Sequence, residues 1–403
     1  MSRAALWIFG AVLLPALCAG GLWLFIYEMD KQDPQHVVVG TAGVGQPFNW
    51  RVLEHHTILL PFQGGTYGGL AAGNFDTDPD RELLLVGPRY SSFFDADGKR
   101  HSVALHGLAF MMDIAAWDYD GDGIDEVLPE PIEFNVVTQY KPGSGSSAPP
   151  LPSASPVFKL DGTRLADLPS VAGATNRPFY YDFDRDRHLD IGMTGLDSDM
   201  RVQFFGVQGK PCGTLSATAT PGSRRTNFGA LAVADITGDG SPEVITAENR
   251  AKDICATDVH GKHWLLCRVN FVTLNVTPAD VDGDGRTDLI FGAEGYYNPG
   301  QEAFIPLAYQ NSTMPETCKV AVADVLGNGS NQIAVLQGKT IPFANELDLF
   351  DPRGTLVHSE NFSTGNPQSR KSMIGLVQTM VNIRAKGRDY LCLQFADKLL
   401  IYP

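Results

Sequence analysis

Cysteine is scarce in this sequence, positive charge is in the minority, and no amphipathic helical pattern organises it. Each shortage excludes something. Of six cysteines, Cys18 lies in an apolar N-terminal run, and Cys212, Cys255, Cys267, Cys318 and Cys392 are odd in number with no CxxC. That excludes the usual zinc motifs and a domain built on disulfides, while one or two bridges in an oxidising compartment stay open. Lys and Arg number 31 against 46 Asp and Glu, a net charge of -15, which excludes nucleic-acid binding driven by overall charge. No HExxH, GxSxG or phosphate loop occurs, so the catalytic templates those motifs carry are not in view. Asp and Glu are plentiful, and their positions matter more than their number.

The chain does hold 26 prolines and 42 glycines, about one residue in six, which argues for many turns. Hydrophobic residues at 43% and charged residues at 19% mark a folding sequence. Ala4 to Tyr27 is 24 residues without a charge, preceded by Arg3 and followed by Glu28, Asp30 and Asp33. As a helix this is long enough to span a hydrocarbon core of about 30 Å, with Arg3 held on the cytoplasmic side. Two readings stay open. Residues 1–30 are an uncleaved signal-anchor, or a cleaved signal peptide with Cys18-Ala19-Gly20-Gly21 as the cut site or Cys18 as a lipid acceptor. Both export the rest, so the expectation is an extracellular or periplasmic domain, membrane-anchored or secreted. Residues 31–56 read as a linker.

The remainder is organised by a repeat. Six nine-residue acidic segments run Asn74–Glu82, Asp118–Glu126, Asp182–Asp190, Asp235–Glu243, Asp280–Asp288 and Asp324–Gln332, each preceded by an apolar strand and followed by an aliphatic residue. A worn seventh copy falls on Asn382–Tyr390, and the steps between copies run from 44 to 64 residues. Within the units a second turn is legible at Gly98, Gly162, Gly209, Gly261 and Gly354. A period of this size with hairpin chemistry throughout fits a four-stranded propeller blade. The expected fold is therefore all-β, a seven-bladed β-propeller over residues 57–403, preceded by one N-terminal transmembrane or signal helix. Thr57–Phe62 is predicted to supply the last blade's missing fourth strand. Residues 141–156, rich in Pro, Ser and Gly, read as a flexible loop of the second blade.

The acidic loops, with Tyr67-Gly-Gly-Leu-Ala-Ala72 and Phe228-Gly-Ala-Leu-Ala-Val233 before two of them, resemble the FG-GAP (VCBS-type) repeats of the integrin α-chain N-terminal propeller. The resemblance covers nearly all of residues 57–403. It implies seven blades, Ca2+ in the blade loops and partner binding on the opposite face.

The residues themselves also point to a hard cation. Carboxylates at positions 1, 3 and 5 of a tight loop, a backbone carbonyl at 7 and an acid at 9 make an all-oxygen shell of the kind Ca2+ takes. The cleanest set is Asp280, Asp282, Asp284, Arg286 and Asp288, followed by Asp118, Asp120, Asp122, Ile124 and Glu126. Asp182, Asp184, Asp186, His188 and Asp190 keep the acids but have Arg187 in place of the glycine. Asn74, Asp76, Asp78, Asp80 and Glu82 carry Pro79 there, and Asp235, Thr237, Asp239, Ser241 and Glu243 have a weaker ligand at position 3. The Asp324 loop, with Leu326 and Gln332, is expected to be empty. About three to five Ca2+ ions are thus expected, in a structural role. The bland alternative is a set of Asp/Gly turns on a solvated rim.

The opposite face is expected to carry basic and aromatic loops: Arg89, Tyr90, Arg177, Arg224, Arg225, Arg250, Tyr296, Tyr297 and Phe343. Arg and Tyr anchor interfaces, so the expected function is a calcium-binding adhesion or interaction module for a protein or glycan, with no catalytic residues assigned. A polysaccharide-active lyase or hydrolase and a structural subunit of a membrane complex stay open as alternatives. The histidines show no repeated ligand spacing, which argues against an enzymatic centre, and the five tryptophans show no repeating docking pattern, which argues against a quinone-dependent dehydrogenase.

Overall fold

The computed structural model describes residues 56–59, 69–86, 91–105, 113–130, 154–169, 179–194, 201–217, 225–248, 252–269, 276–308, 319–337, 346–362, 377–395 and 398–402. They form 28 strands, β1 to β28 in chain order, arranged as seven antiparallel sheets of four. The chain is a seven-bladed β-propeller. In each of the first six blades four consecutive strands pair in order, as β2 (Gly69–Gly73), β3 (Glu82–Val86), β4 (Ser91–Phe94) and β5 (Arg100–Val103) do in the first.

The seventh blade closes the ring. Its sheet runs β26 (Val377–Ala385), β27 (Arg388–Phe395), β28 (Lys398–Tyr402) and then β1 (His56–Leu59), with Ile58 opposite Leu399. A strand from before the first blade thus caps the last one, as the apolar stretch at Thr57 predicts, and leaves the outer edge of β28 paired. The Ala4–Tyr27 segment and residues 31–55 of the linker lie outside the described residues, among which no helix is long and apolar enough to cross a membrane; the linker's last residue, His56, belongs to β1. Residues 141–153 lie outside them too. The predicted loop runs too far, because β8 (Ala154–Phe158) includes its last three residues.

Why a propeller and not separate hairpins follows from the second strands. Leu83, Leu84, Leu85 and Val86 on β3 are all buried. Successive side chains point to opposite faces, so Leu83 and Leu85 pack with Ile383, Leu399 and Ile401 of the last blade, while Leu84 and Val86 pack with Ile114 and Val127 of the second. Seven apolar clusters result, one between each pair of neighbouring blades, including the seventh and first. A single sheet cannot cover both of its faces, and a closed ring covers all fourteen. Hydrogen bonds reinforce the seams: Trp117 Nε1 donates to the Leu189 carbonyl at 2.7 Å, and Asn331 Nδ2 to the Asp280 carbonyl at 2.8 Å.

The turns between third and fourth strands need a left-handed residue. Gly98, Gly162, Gly209, Gly261 and Gly354 supply it, with φ between 66° and 86°. These turns lie at the same end of each blade as the acidic loops, since both join strands running the same way. The acidic loops and the residues of these turns are therefore within reach of one another.

Candidate metal centres

In the fifth blade the nine-residue loop joins β18 (Thr277–Ala279) to β19 (Asp288–Ile290). Its fold is written by its own acids. Asp280 accepts from the Gly283 and Gly285 amides at 2.8 and 3.0 Å, Asp282 from the Asp284 amide at 3.2 Å, and Asp284 from the Arg286 amide at 2.8 Å. Asp288 reaches back seven residues to the Val281 amide at 2.8 Å. Gly283 and Gly285 adopt φ near 80°, which lets the chain curl around the carboxylates. The bonds satisfy the backbone and gather the acids of positions 1, 3, 5 and 9 on one tight loop.

The same device recurs. Glu82, Glu126, Asp190 and Glu243 each accept from the amide of position 2, on Phe75, Tyr119, Phe183 and Ile236. Asp118 and Asp235 hold the glycine amides of their loops as Asp280 does. All five position-9 acids are buried. Burial first, opposed by that amide and followed by the charge of neighbouring loop acids, pushes Glu82, Glu126, Glu243 and Asp288 up to about 7. Asp190 is also raised, chiefly by burial.

Several loop oxygens are buried with no hydrogen-bond partner among the described residues: Asn74 Oδ1, Asp120 Oδ1, Asp182 Oδ1, Asp190 Oδ1 and Asp288 Oδ1. Buried acceptors normally find donors. Oxygen-only donor sets with unmet acceptors fit a hard divalent cation. In three loops the acids approach closely enough to share one ion, with ligand atoms within 4.8 Å in Asp76, Asp78 and Glu82, in Asp118, Asp120 and Asp122, and in Asp182, Asp184 and Asp186.

The loops are not equivalent. In the second blade the Lys159 ammonium stands 2.6 Å from Asp120 Oδ2 and 3.7 Å from both Asp122 Oδ2 and Glu126 Oε1. Lys159 holds Asp120 below the ordinary carboxylate range through that hydrogen bond. A tethered cation thus sits among the acids ranked second from sequence. Sequence reasoning missed it because Lys159 opens a turn far downstream, beyond the 141–153 insert, and no motif links the two. In the third blade Arg185 and Arg187 take the glycine conformation with φ of 64° and 77°, so the loop geometry survives at a backbone cost. The Cys212 thiol lies with Asp184 and Asp190 within 4.8 Å; burial, then the Asp190 charge, pushes it up to about 12.

In the first blade Pro79 cannot take the left-handed turn. Asn74 turns away to the second blade: its Nδ2 donates to the Gly123 carbonyl at 2.7 Å, its amide to Asp125 Oδ2 at 2.9 Å, and its carbonyl accepts from the Asp125 amide at 2.6 Å. In the fourth blade Thr237 Oγ1 donates to Glu243 at 3.3 Å. In the sixth, Gln332 takes the acid's place and accepts from the Leu326 amide at 2.9 Å. The seventh copy is a tight hairpin around Lys386 and Gly387 between β26 and β27, with no acidic loop.

The expected partner face needs one correction. Tyr296 and Tyr297 are buried, 0% and 8% exposed, on β20 (Gly295–Asn298). The connection from β19 is only four residues long, so these tyrosines belong to the third strand rather than to a loop. Tyr297 packs in the seam with the fourth blade and Tyr296 in the seam with the sixth, where its hydroxyl donates to the Pro352 carbonyl at 2.5 Å. Arg225 opens β14 (Arg225–Ala234), paired with Glu248. Arg89, Tyr90, Arg177, Arg224, Arg250 and Phe343 lie outside the described residues. The innermost strands of the first, second, third and seventh blades also border a cavity of about 510 Å³, where Ala71, Ala115 and Val381 meet Arg81, Arg187 and His188.

A repeat-family pattern matches residues 274–303, the fifth-blade loop and its flanking strands. It is the FG-GAP repeat. A search of curated proteins finds no match. Among solved structures the chain is similar to BBS1N, crystallised in complex with ARL6DN, with a TM-score of 0.51 at 9% identity over 87% of this chain and 97% of that one. It is also similar to a catalytically inactive virginiamycin B lyase from Staphylococcus aureus, crystallised with quinupristin, with a TM-score of 0.52 at 10% identity over 86% and 99%. At such identities the likeness is one of fold. The matched fifth-blade loop has acids at positions 1, 3, 5 and 9 and glycines at 4 and 6, a pattern the second-blade loop shares.

Proposed function

We propose that this chain is an extracytoplasmic, membrane-anchored calcium propeller that binds a protein or glycan partner. The observation that carries the reading is the recurring buried carboxylate at position 9 under its loop acids, with buried oxygens of Asp182, Asp190 and Asp288 that have no donor among the described residues. In the third, fourth and fifth blades those residues would hold Ca2+ through Asp182, Asp184, Asp186 and Asp190, through Asp235, Asp239 and Glu243, and through Asp280, Asp282, Asp284 and Asp288. The ion would neutralise the clustered charge and pin the first two strands of its blade. The carboxylates are committed to their own backbone amides, which supports a structural role for them over general acid or base work. Export and anchoring rest on the uncharged Ala4–Tyr27 run.

The test is capture of partners by the full-length chain in detergent, on a glycan array and on an array of extracellular proteins, with calcium and with chelator. Expected is calcium-dependent capture that falls when Arg224 and Arg225 are replaced by alanine. Capture indifferent to both chelator and these replacements would remove the proposal.

A further inference from the structure

The fourth blade holds a second kind of cluster, away from the oxygen-only loops. Its strands β15 (Glu243–Glu248), β16 (Asp253–Thr257) and β17 (His263–Arg268) bring Glu248, Cys255 and His263 together, with one ligand atom of each within 4.8 Å of the others. Cys255 is on the middle strand. In the register Cys255 faces Thr246 on one side and Leu265 on the other, so Glu248 and His263 stand two residues away along opposite neighbours. The two longer side chains lean over the thiol, and His263 Nε2 comes to 3.3 Å from Glu248 Oε1.

The geometry points to a Zn2+-class site made by Glu248, Cys255 and His263. Three features support it. First, the donor set is mixed nitrogen, sulfur and oxygen, which suits borderline metals such as Zn2+ and disfavours Ca2+. Second, the imidazole is already oriented: Thr257 Oγ1 holds His263 Nδ1 at 2.9 Å, leaving Nε2 turned to the cluster, as an outer partner does for a metal-bound histidine. Third, Thr246, directly across from Cys255 and 1% exposed, buries a hydroxyl with no hydrogen-bond partner among the described residues. It offers the site a further polar neighbour.

Charge closes. A divalent ion with a thiolate, a carboxylate and a neutral imidazole is neutral overall, and binding releases the thiol proton of Cys255 to solvent. Ligand atoms of a tetrahedral zinc shell stand roughly 3.3–3.8 Å apart, so the trio needs to contract by about 1.5 Å at most from its outer limit of 4.8 Å. Three protein ligands leave one coordination position for water or an outside ligand. Access is from the rim, since His263 follows directly on the Asp258–Lys262 turn. The site would staple three strands on the face of β15 that Val244 turns to the third blade.

Cobalt titration of the full-length, metal-stripped chain in detergent tests this, run in millimolar Ca2+ so that oxygen-only loops are filled. Expected is a thiolate-to-cobalt charge-transfer band saturating at one equivalent, bleached by Zn2+. It is lost in Cys255→Ser, kept in Cys267→Ser, and needs at least about tenfold more cobalt in Thr257→Val. Circular dichroism confirms that each variant is folded. A folded wild-type chain without the band, or a band that survives Cys255→Ser, overturns the site. Every variant is carried on a Cys212→Ser background, because that thiol lies beside Asp184 and Asp190; the loops are then oxygen-only and give no thiolate band, so this outcome is independent of whether they bind calcium.

Discussion

The buried position-9 acids make a prediction about pH that calcium weakens. Asp288 is pushed from an ordinary 3.8 to about 7, and Glu82, Glu126 and Glu243 from 4.5 to about 7. A raised carboxyl value means the folded chain binds the proton more tightly than the unfolded one. Without cations, the stabilisation is therefore complete below the unfolded value and is lost as pH rises through about 7. At about 1.4 kcal/mol per pH unit, the ceiling is about 3.5 kcal/mol for each glutamate and about 4.5 kcal/mol for Asp288. Screening by water at the loop rim cuts that to on the order of 1–2 kcal/mol each. For a chain of this size the four together amount to a Tm fall on the order of 5–10 °C between about pH 5.5 and about pH 8. With calcium the ion takes the proton's place at Glu243 and Asp288, where deprotonation now aids binding, while Glu82 and Glu126 keep their slope, so the profile becomes shallower. Thermal melts of metal-stripped protein, with and without millimolar Ca2+ across this range, measure both. Parallel profiles with no calcium-dependent gap at the alkaline end would refute the reasoning, since the acids would then have no cation to answer to.

Other outcomes follow from single side chains. Lys159→Gln removes the ammonium at 2.6 Å from Asp120. It should raise the calcium stoichiometry by one ion in equilibrium dialysis and make the second blade more sensitive to chelator. Arg187→Gly relieves a left-handed arginine at φ 77° while keeping the backbone bond to Asp182. The expected gain is on the order of 1 kcal/mol, read as a higher denaturant midpoint; a loss would mean that the side chain holds the loop. Tyr296→Phe deletes the hydroxyl bonded to Pro352 and should cost about 1 kcal/mol of stability with partner capture unchanged, whereas a direct binding role would show the reverse.

The period of the acidic loops, the aliphatic residue after each and the turn glycines made seven four-stranded units legible in the sequence, because these are local features repeated in register. The apolar run at Thr57 even pointed to the closing strand. The loop acids were legible too, since positions 1, 3, 5 and 9 bond to amides within the same nine residues. Tertiary structure decided what local spacing cannot carry. Tyr296 and Tyr297 look like loop aromatics until a short connection places them on a third strand between two blades. Lys159 joins acids in a loop 33 residues or more before it, and Glu248, Cys255 and His263 meet only because three strands are set side by side. Contacts within one turn are encoded by neighbours in the chain. Contacts across strands depend on register and on ring closure, which many residues fix jointly.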